Sequence, residues 1–298
     1  MSTVTKSWRV PPEASSQTVR DFLQKRAGFS RQLIKRVKAA GSISVNHQPA
    51  SLKLKVESEA VVTVYFPEEV RGERMTPEEG ALIIRYEDED VIVIDKPSSV
   101  PVVPSSHHEG SSIATRLLHH YEKQGLSNTV HIVTRLDRET SGLMLAAKHA
   151  YSHRLLTLEK SRLDRFYTAL VKGKLKEKEG VIETPIARKP GSIVERTTCE
   201  DGKPSRTLYK VLESYAQHTL VRLKLETGRT HQIRVHMASI GHPLVGDTLY
   251  GETEDLPWSG QALHCHELAF AHPWTGEHMS FTSGIPEEWN RYVRTAEY

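Results

Sequence analysis

Apolar positions recur at two different periods along this chain, and the change of period divides it. Between residues 18 and 41, Phe22, Leu23, Leu33, Ile34 and Val37 fall at helical spacing around a break at Gly28. Two short amphipathic helices are therefore predicted, the second starting at Ser30, whose hydroxyl suits an N-cap. Residues 42–48 then read as a strand and turn, and residues 61–66 as a later strand. Beyond residue 81, short apolar runs of period two take over. Residues 82–86 and 91–95 would form a hairpin across an acidic turn, residues 131–133 and 143–147 would be strands flanking a polar turn, and residues 220–225 alternate. Helices are predicted over 112–121 and 149–161. A third would follow the break at Gly228, from an N-cap at Thr230 through Ile240, with Gly241 closing it. On that helix Ile233 and Met237 give an apolar seam, and Arg234 falls between the seam and the solvent face. The whole reads as an α+β chain: a small helix-and-strand module, then a mixed, mostly antiparallel sheet.

Composition places the boundary between them. Pro67, Gly72, Pro77 and Gly80 punctuate an acid-rich stretch that reads as a linker. The expected organisation is thus 1–66, a linker over 67–80, and a larger domain over 81–298, and 298 residues suffice for a small module plus one sizeable core. Net charge is only +3, from 40 basic and 37 acidic residues, so charge matters here by its segregation. Arg20, Lys25, Arg26, Arg31, Lys35, Arg36 and Lys38 face the single acid Asp21 on the two N-terminal helices. Such faces are often merely solvated, but seven bases against one acid fit a surface that tracks phosphates, and RNA is the expected partner. Residues 186–204, with Arg188, Lys189, Arg196 and Lys203, read as an extended loop or hairpin that could also touch RNA.

Other chemistry is excluded or weak. Cys199 and Cys265 stand far apart without a Cys-x-x-Cys, which removes a disulfide framework and argues against a zinc ribbon. His264 and His266 could share a strand face, but no partner recurs at ligand spacing, and no metal is expected. Without a Walker motif or dinucleotide fingerprint, no cofactor is expected either. No apolar run of membrane length and no signal peptide is seen, so the expected location is cytoplasmic, with a monomer as the default state.

Two runs carry candidate chemistry. In Arg135-Leu136-Asp137-Arg138-Glu139-Thr140-Ser141-Gly142-Leu143 a carboxylate sits between two arginines on a turn held by strands; nearby cations would keep it ionised, as a nucleophile or base requires. Taken alone, Asp137 reads equally as a turn residue bonding its own backbone. In Thr227-Gly228-Arg229-Thr230-His231-Gln232-Ile233-Arg234-Val235-His236, the basic side chains gather near a helix start, a place suited to phosphate or carboxylate contact.

Together with Arg165-Phe166-Tyr167-Thr168-Ala169-Leu170-Val171-Lys172-Gly173, with Gly241-His242-Pro243-Leu244-Val245-Gly246-Asp247-Thr248-Leu249-Tyr250-Gly251 and with His272-Pro273-Trp274-Thr275-Gly276-Glu277, these runs resemble, in order, the motifs of the RluA-type RNA pseudouridine synthases. The N-terminal order, with Phe22-Leu23, Ser30-Arg31 and Gly41-x-Ile43-x-Val45-Asn46, resembles the S4 RNA-binding module. The resemblance implies detachment of uracil from C1′ of a uridine in RNA, its rotation and reattachment through C5. By the same resemblance Asp137 would attack C1′ or take a proton from the sugar, Arg234 would pair with it, and Tyr167 would stack on the flipped base. Arg135 would fill the space the base leaves; Arg229, His231 and Gln232 would contact substrate. Without the resemblance, Tyr167 reads as core and Arg135 as a surface arginine. Thr134 and Val103 stand where many members of the family carry His, positions next to the chemistry rather than in it. Large-subunit ribosomal RNA is the expected target, with transfer RNA open. A non-catalytic RNA-binding or ribosome-assembly factor is the alternative, and intact Asp, Tyr and Arg motifs favour the enzyme.

Overall fold

The structure is a computed structural model that describes residues 4–69, 71, 75–104, 111–158 and 163–295. Both N-terminal helices form where the apolar period places them: α1 (Val19–Lys25) and α2 (Arg31–Ala40). Thr18 and Ser30 cap them by accepting from the backbone N–H groups of Asp21 and Leu33, which satisfies donors that a helix start otherwise leaves open. They pack on an antiparallel sheet of order β1 (Thr5–Arg9), β4 (Val61–Tyr65), β2 (Ser42–Val45), β3 (Gln48–Pro49). Strand β1 escapes the sequence reading because only Lys6 and Trp8 of its five residues point inward, and neither is an ordinary core residue.

The described residues between 67 and 80 carry no regular secondary structure. The larger part of the chain is nonetheless docked firmly against the N-terminal part. Tyr151, from α4 (Ala150–Leu156), is buried among N-terminal residues; its hydroxyl donates to the Ala27 carbonyl at 2.7 Å and its ring lies 4.9 Å from Phe29 and 5.4 Å from Phe66. Lys6 reaches across to Asp90 at 2.6 Å, both side chains only 5% exposed, and His149 and Ser152 complete the carboxylate's partners. The two parts thus share an apolar core and a buried ion pair. The helix expected over 149–161 ends at Leu156, and residues 159–161 of that expectation lie outside the described residues.

The larger part is built on one ten-stranded sheet. Its order is β10 (Glu179–Ile182), β13 (Thr207–Ser214), β14 (His218–Leu225), β9 (Leu163–Lys172), β15 (Leu263–Ala271), β8 (Ser141–Ala147), β6 (Val91–Lys96), β5 (Ile83–Glu87). Strands β16 (His278–Thr282) and β7 (His131–Ile132) pair with β15 and β8. Every pairing is antiparallel except β15 with β8, which agrees with the α+β expectation. The expected hairpin of β5 and β6 and the strands on either side of the Asp137 turn are present. Helix α3 (Ile113–Lys123) starts from a Ser112 capping box, and α6 (Glu287–Thr295) buries Trp289 and Val293 against Leu170, Leu220 and Val245. The basic stretch at 186–204 forms a separate hairpin of β11 (Ile186–Arg188) and β12 (Arg196–Thr198).

The parallel junction fixes the Asp137 turn. Gly142 has φ +103°, and a Cβ there would stand 2.3 Å from the Cys265 carbonyl oxygen, so only glycine lets β8 approach β15 this closely.

Candidate active site

The turn that carries Asp137 is held at both ends. Thr140 N–H donates to the Asp137 carbonyl at 3.1 Å. Thr134 is buried, and its hydroxyl accepts from Leu145 N–H at 2.8 Å, so the threonine at this departure from the family pattern ties β8 to the turn's entry. Beneath the turn lies Lys96, 1% exposed, whose ammonium donates to the carbonyls of Pro97, Val100 and Arg138 at 2.8–2.9 Å. Burial pushes its pKa down to about 7.

The arginines flanking Asp137 do not hold it. Arg138 turns to Glu139 at 2.6 Å, and Arg135 is exposed, with no side-chain partner among the described residues. The cation that reaches Asp137 comes from 97 residues away: Arg234 Nη1 donates to Asp137 Oδ2 at 3.2 Å. Arg234 itself is clamped by Asp247, a fully buried carboxylate that accepts from Nε at 2.7 Å and Nη2 at 2.8 Å, while the Tyr250 ring centroid lies 5.1 Å from the guanidinium carbon. Burial opposes the charge of Arg234, but the bonds to Asp247 and Asp137 outweigh it and its pKa moves up.

This corrects the helix reading. α5 (Gln232–Ser239) is capped not by Thr230 but by His231, in left-handed geometry at φ 57°, and residues 232 to 237 are all buried. Arg234 therefore faces the interior of the site rather than the solvent side of a seam. A left-handed histidine is uncommon backbone, stored where surrounding bonds overdetermine it. Arg196 N–H donates to the Tyr250 oxygen at 2.8 Å, and His231 Nδ1 shares a hydrogen bond of 2.8 Å with the same hydroxyl. Its other ring nitrogen, Nε2, lies 3.9 Å from Asp137 Oδ2. Burial lowers the His231 pKa, Asp137 works against this, and Arg234 reinforces it.

Seven of the sequence's candidates line one pocket: Arg135, Asp137, Tyr167, Arg229, His231, Gln232 and Arg234, with Leu136, Leu225 and Leu263. That pocket is small, about 50 Å³, and through Arg135, Asp137, His231 and Arg234 it borders a wider cavity of about 470 Å³ that Val103, Val194 and Thr248 also line. Tyr167 is 3% exposed, packed in the core with part of its side chain at the pocket wall. Gln232 is saturated inside the protein: its oxygen accepts from Thr227 and Arg229 N–H, and its amide donates to Arg206 and Thr207. Arg229 is exposed and donates to the Pro204 carbonyl. The β11–β12 hairpin brings Arg188 and Arg196, and the segment after it Lys203, to an adjoining cavity shared with Gly228 and Arg229.

The sequence reading singled out neither Asp247 nor Lys96 as a site residue. Asp247 stands within one of the family motifs, and an acid between Gly246 and Thr248 was the available signal; Lys96, closing an apolar strand, gave none. The seven N-terminal bases are all exposed. Lys25 faces Asp21 and Arg26 faces Glu13, each at 3.6 Å, and the other five form no ion pair among the described residues. His264 sits between the hydroxyls of Ser141 and Ser283, and burial lowers its pKa to about 4. Among the described residues no group of three His, Cys, Asp or Glu converges for a metal, and no helix is long and apolar enough to cross a membrane.

Residues 90–239 match the family model described as RNA pseudouridylate synthase. The chain is 42% identical over 270 residues to the Bacillus subtilis RNA pseudouridine synthase YjbO, covering 90% of this chain and 95% of that one. It is 36% identical over 278 residues to ribosomal large subunit pseudouridine synthase D of Vibrio parahaemolyticus, covering 88% and 85%. Among solved structures, human RNA pseudouridylate synthase domain containing 1 matches with a TM-score of 0.58 at 29% identity, over 70% of this chain and 86% of that chain.

Proposed function

This chain belongs to the RNA pseudouridylate synthase family, in its RluA-type branch, and is an RNA pseudouridine synthase; we propose that it acts on a uridine of large-subunit ribosomal RNA through Asp137. The large-subunit activity in the name of the Vibrio parahaemolyticus relative supports the choice of RNA. The observation that carries the assignment of Asp137 is its ion pair with Arg234, itself locked by Asp247 on the wall of a pocket that also holds Tyr167.

The reaction is an isomerisation. The bond from C1′ to N1 breaks, the uracil turns, C5 bonds to C1′, and the C5 proton is exchanged for one on N1. Asp137 attacks C1′ or removes a sugar proton; both routes need an ionised carboxylate beside the sugar. Arg234 holds that carboxylate with one guanidinium nitrogen while the other two are fixed, so its orientation is set before substrate arrives. Tyr167 offers the flipped base a stacking surface, offsetting about 1–3 kcal/mol of an unstacking cost of roughly a few kcal/mol. Exposed and with no side-chain partner among the described residues, Arg135 is suited to fill the gap in the RNA. Residues 1–66 act as an S4-like RNA-binding module, with Arg20, Arg31, Lys35, Arg36 and Lys38 toward phosphate.

The test uses purified protein and its Asp137→Asn variant on total RNA from a strain lacking the gene, with pseudouridine mapped by carbodiimide-blocked reverse transcription. New stops in large-subunit RNA with wild type alone are expected. Stops only in transfer RNA would move the target, and stops with both proteins would remove Asp137 from the chemistry.

A further inference from the structure

The strand that presents Tyr167 also carries a cation that the proposed chemistry does not use. Arg165 precedes Tyr167 by two positions on β9, so both side chains leave the sheet on the same face. Its guanidinium reaches the loop before α5: a Cβ added at Gly228 would stand 3.1 Å from Arg165 Nη2 and 3.3 Å from Nη1. With glycine there, no side chain is interposed between the fork and the loop of Gly228, Arg229 and Thr230, which itself borders the cavity next to the site.

Arg165 is half-buried, yet it forms no ion pair among the described residues, and its Nε is shielded from solvent without a hydrogen-bond partner. The neighbouring cations differ. Arg222 holds Glu267 at 2.7 Å and Lys224 holds Asp164 at 2.8 Å. The groups that feel Arg165 most are Tyr167 and Cys265, both fully enclosed and, with burial pushing their pKa values up, uncharged. A partly desolvated guanidinium without a counter-ion is unfavourable until an anion joins it. Its planar fork of donors matches a phosphate better than any other group a nucleic acid presents.

We propose that Arg165 binds one of the two phosphates that flank the flipped uridine, a role that rests on the pseudouridine synthase reading of the neighbouring pocket. Base and backbone would then be held from one face of one strand, Tyr167 on the base and Arg165 on its phosphate.

The test uses the RNA fragment that wild type modifies, made with natural phosphates or with a single neutral methylphosphonate 5′ or 3′ of the target uridine. Wild type loses about tenfold in kcat/KM on one of the two methylphosphonates and little on the other, the size of one charge-assisted hydrogen bond. Arg165→Ala loses about as much on natural RNA and nothing further on that methylphosphonate, and the slope of log KM against log salt falls by about 0.7–0.9, one phosphate's share. Arg165→Lys recovers part of the loss. If Arg165→Ala stays as sensitive to the methylphosphonate as wild type, Arg165 is a packing residue and the proposal is wrong, whatever happens to the melting temperature. If wild type forms no pseudouridine in any RNA, the reading of the pocket fails first and takes this inference with it.

Discussion

Two acids bracket Arg234, and substituting each by its amide should separate architecture from chemistry. Asp247 is fully buried and accepts four bonds: Arg234 Nε and Nη2 at 2.7 and 2.8 Å, and the backbone N–H groups of Leu249 and Tyr250 at 3.1 and 3.2 Å. In Asp247→Asn the oxygen facing Leu249, Tyr250 and Nη2 can be kept, but an amide NH₂ then faces Nε, donor against donor, and the buried guanidinium loses its closest counter-charge. Removing one partner of a buried pair costs about 3–5 kcal/mol, and the remaining contact with Asp137 argues for the lower figure. At roughly 2–4 °C per kcal/mol for a domain of this size, melting should fall by about 6–12 °C. Asp137 makes a single 3.2 Å bond and its side chain is 28% exposed, so Asp137→Asn should cost under about 1 kcal/mol and leave melting within about 3 °C. Activity should run the other way. On the role proposed for Asp137, Asp137→Asn should abolish single-turnover pseudouridine formation, whereas Asp247→Asn should leave the carboxylate present but misaligned, a loss of about a hundredfold. Scanning fluorimetry and single-turnover kinetics on the two variants decide it. Equal melting of the two, or an Asp247→Asn enzyme with the wild-type rate, would refute the clamp.

The remaining predictions concern burial and charge. His264 has its pKa lowered from 6.5 to about 4 by burial, so the unfolded chain binds the proton first as pH falls; stability present above about 6.5 is lost on acidification, about 2 kcal/mol of it by pH 5, and His264→Asn should flatten that part of the melting-versus-pH curve. Lys6→Met should destabilise by about 3 kcal/mol, the low end for breaking a buried pair because His149 and Ser152 still bond Asp90, and limited proteolysis should then release the N-terminal part sooner; in an Asp90→Asn background the same change should do much less. Replacing Lys35 and Arg36 by Gln should weaken RNA binding across sequences and reduce the salt slope by about 0.7–0.9 per lost phosphate contact, with the chemical step unchanged once RNA is bound.

Local periodicity was enough to find the N-terminal helices, the cap at Ser30, the hairpin of β5 and β6, and the strands around Asp137, because each of these is settled by residues within a few positions. The ordered motifs were enough to gather Asp137, Tyr167, His231 and Arg234 as one set of candidates. What sits beside what was not legible. The sequence put arginines next to Asp137 along the chain, but a turn sends neighbouring side chains in different directions, and the cation that arrives is Arg234 on α5. The same holds for Asp247, whose role exists only because a helix and a loop bury it against that guanidinium, and for Lys96, which reads as the polar end of a strand until three carbonyls converge on it. Period and composition likewise suggested two parts joined by a linker, while the tertiary structure makes them share Tyr151 and the Lys6–Asp90 pair. Chain propensity is local, whereas desolvation and charge pairing depend on which distant segments pack together, and at this site those second terms decide which carboxylate is buried against the guanidinium and which lines the pocket.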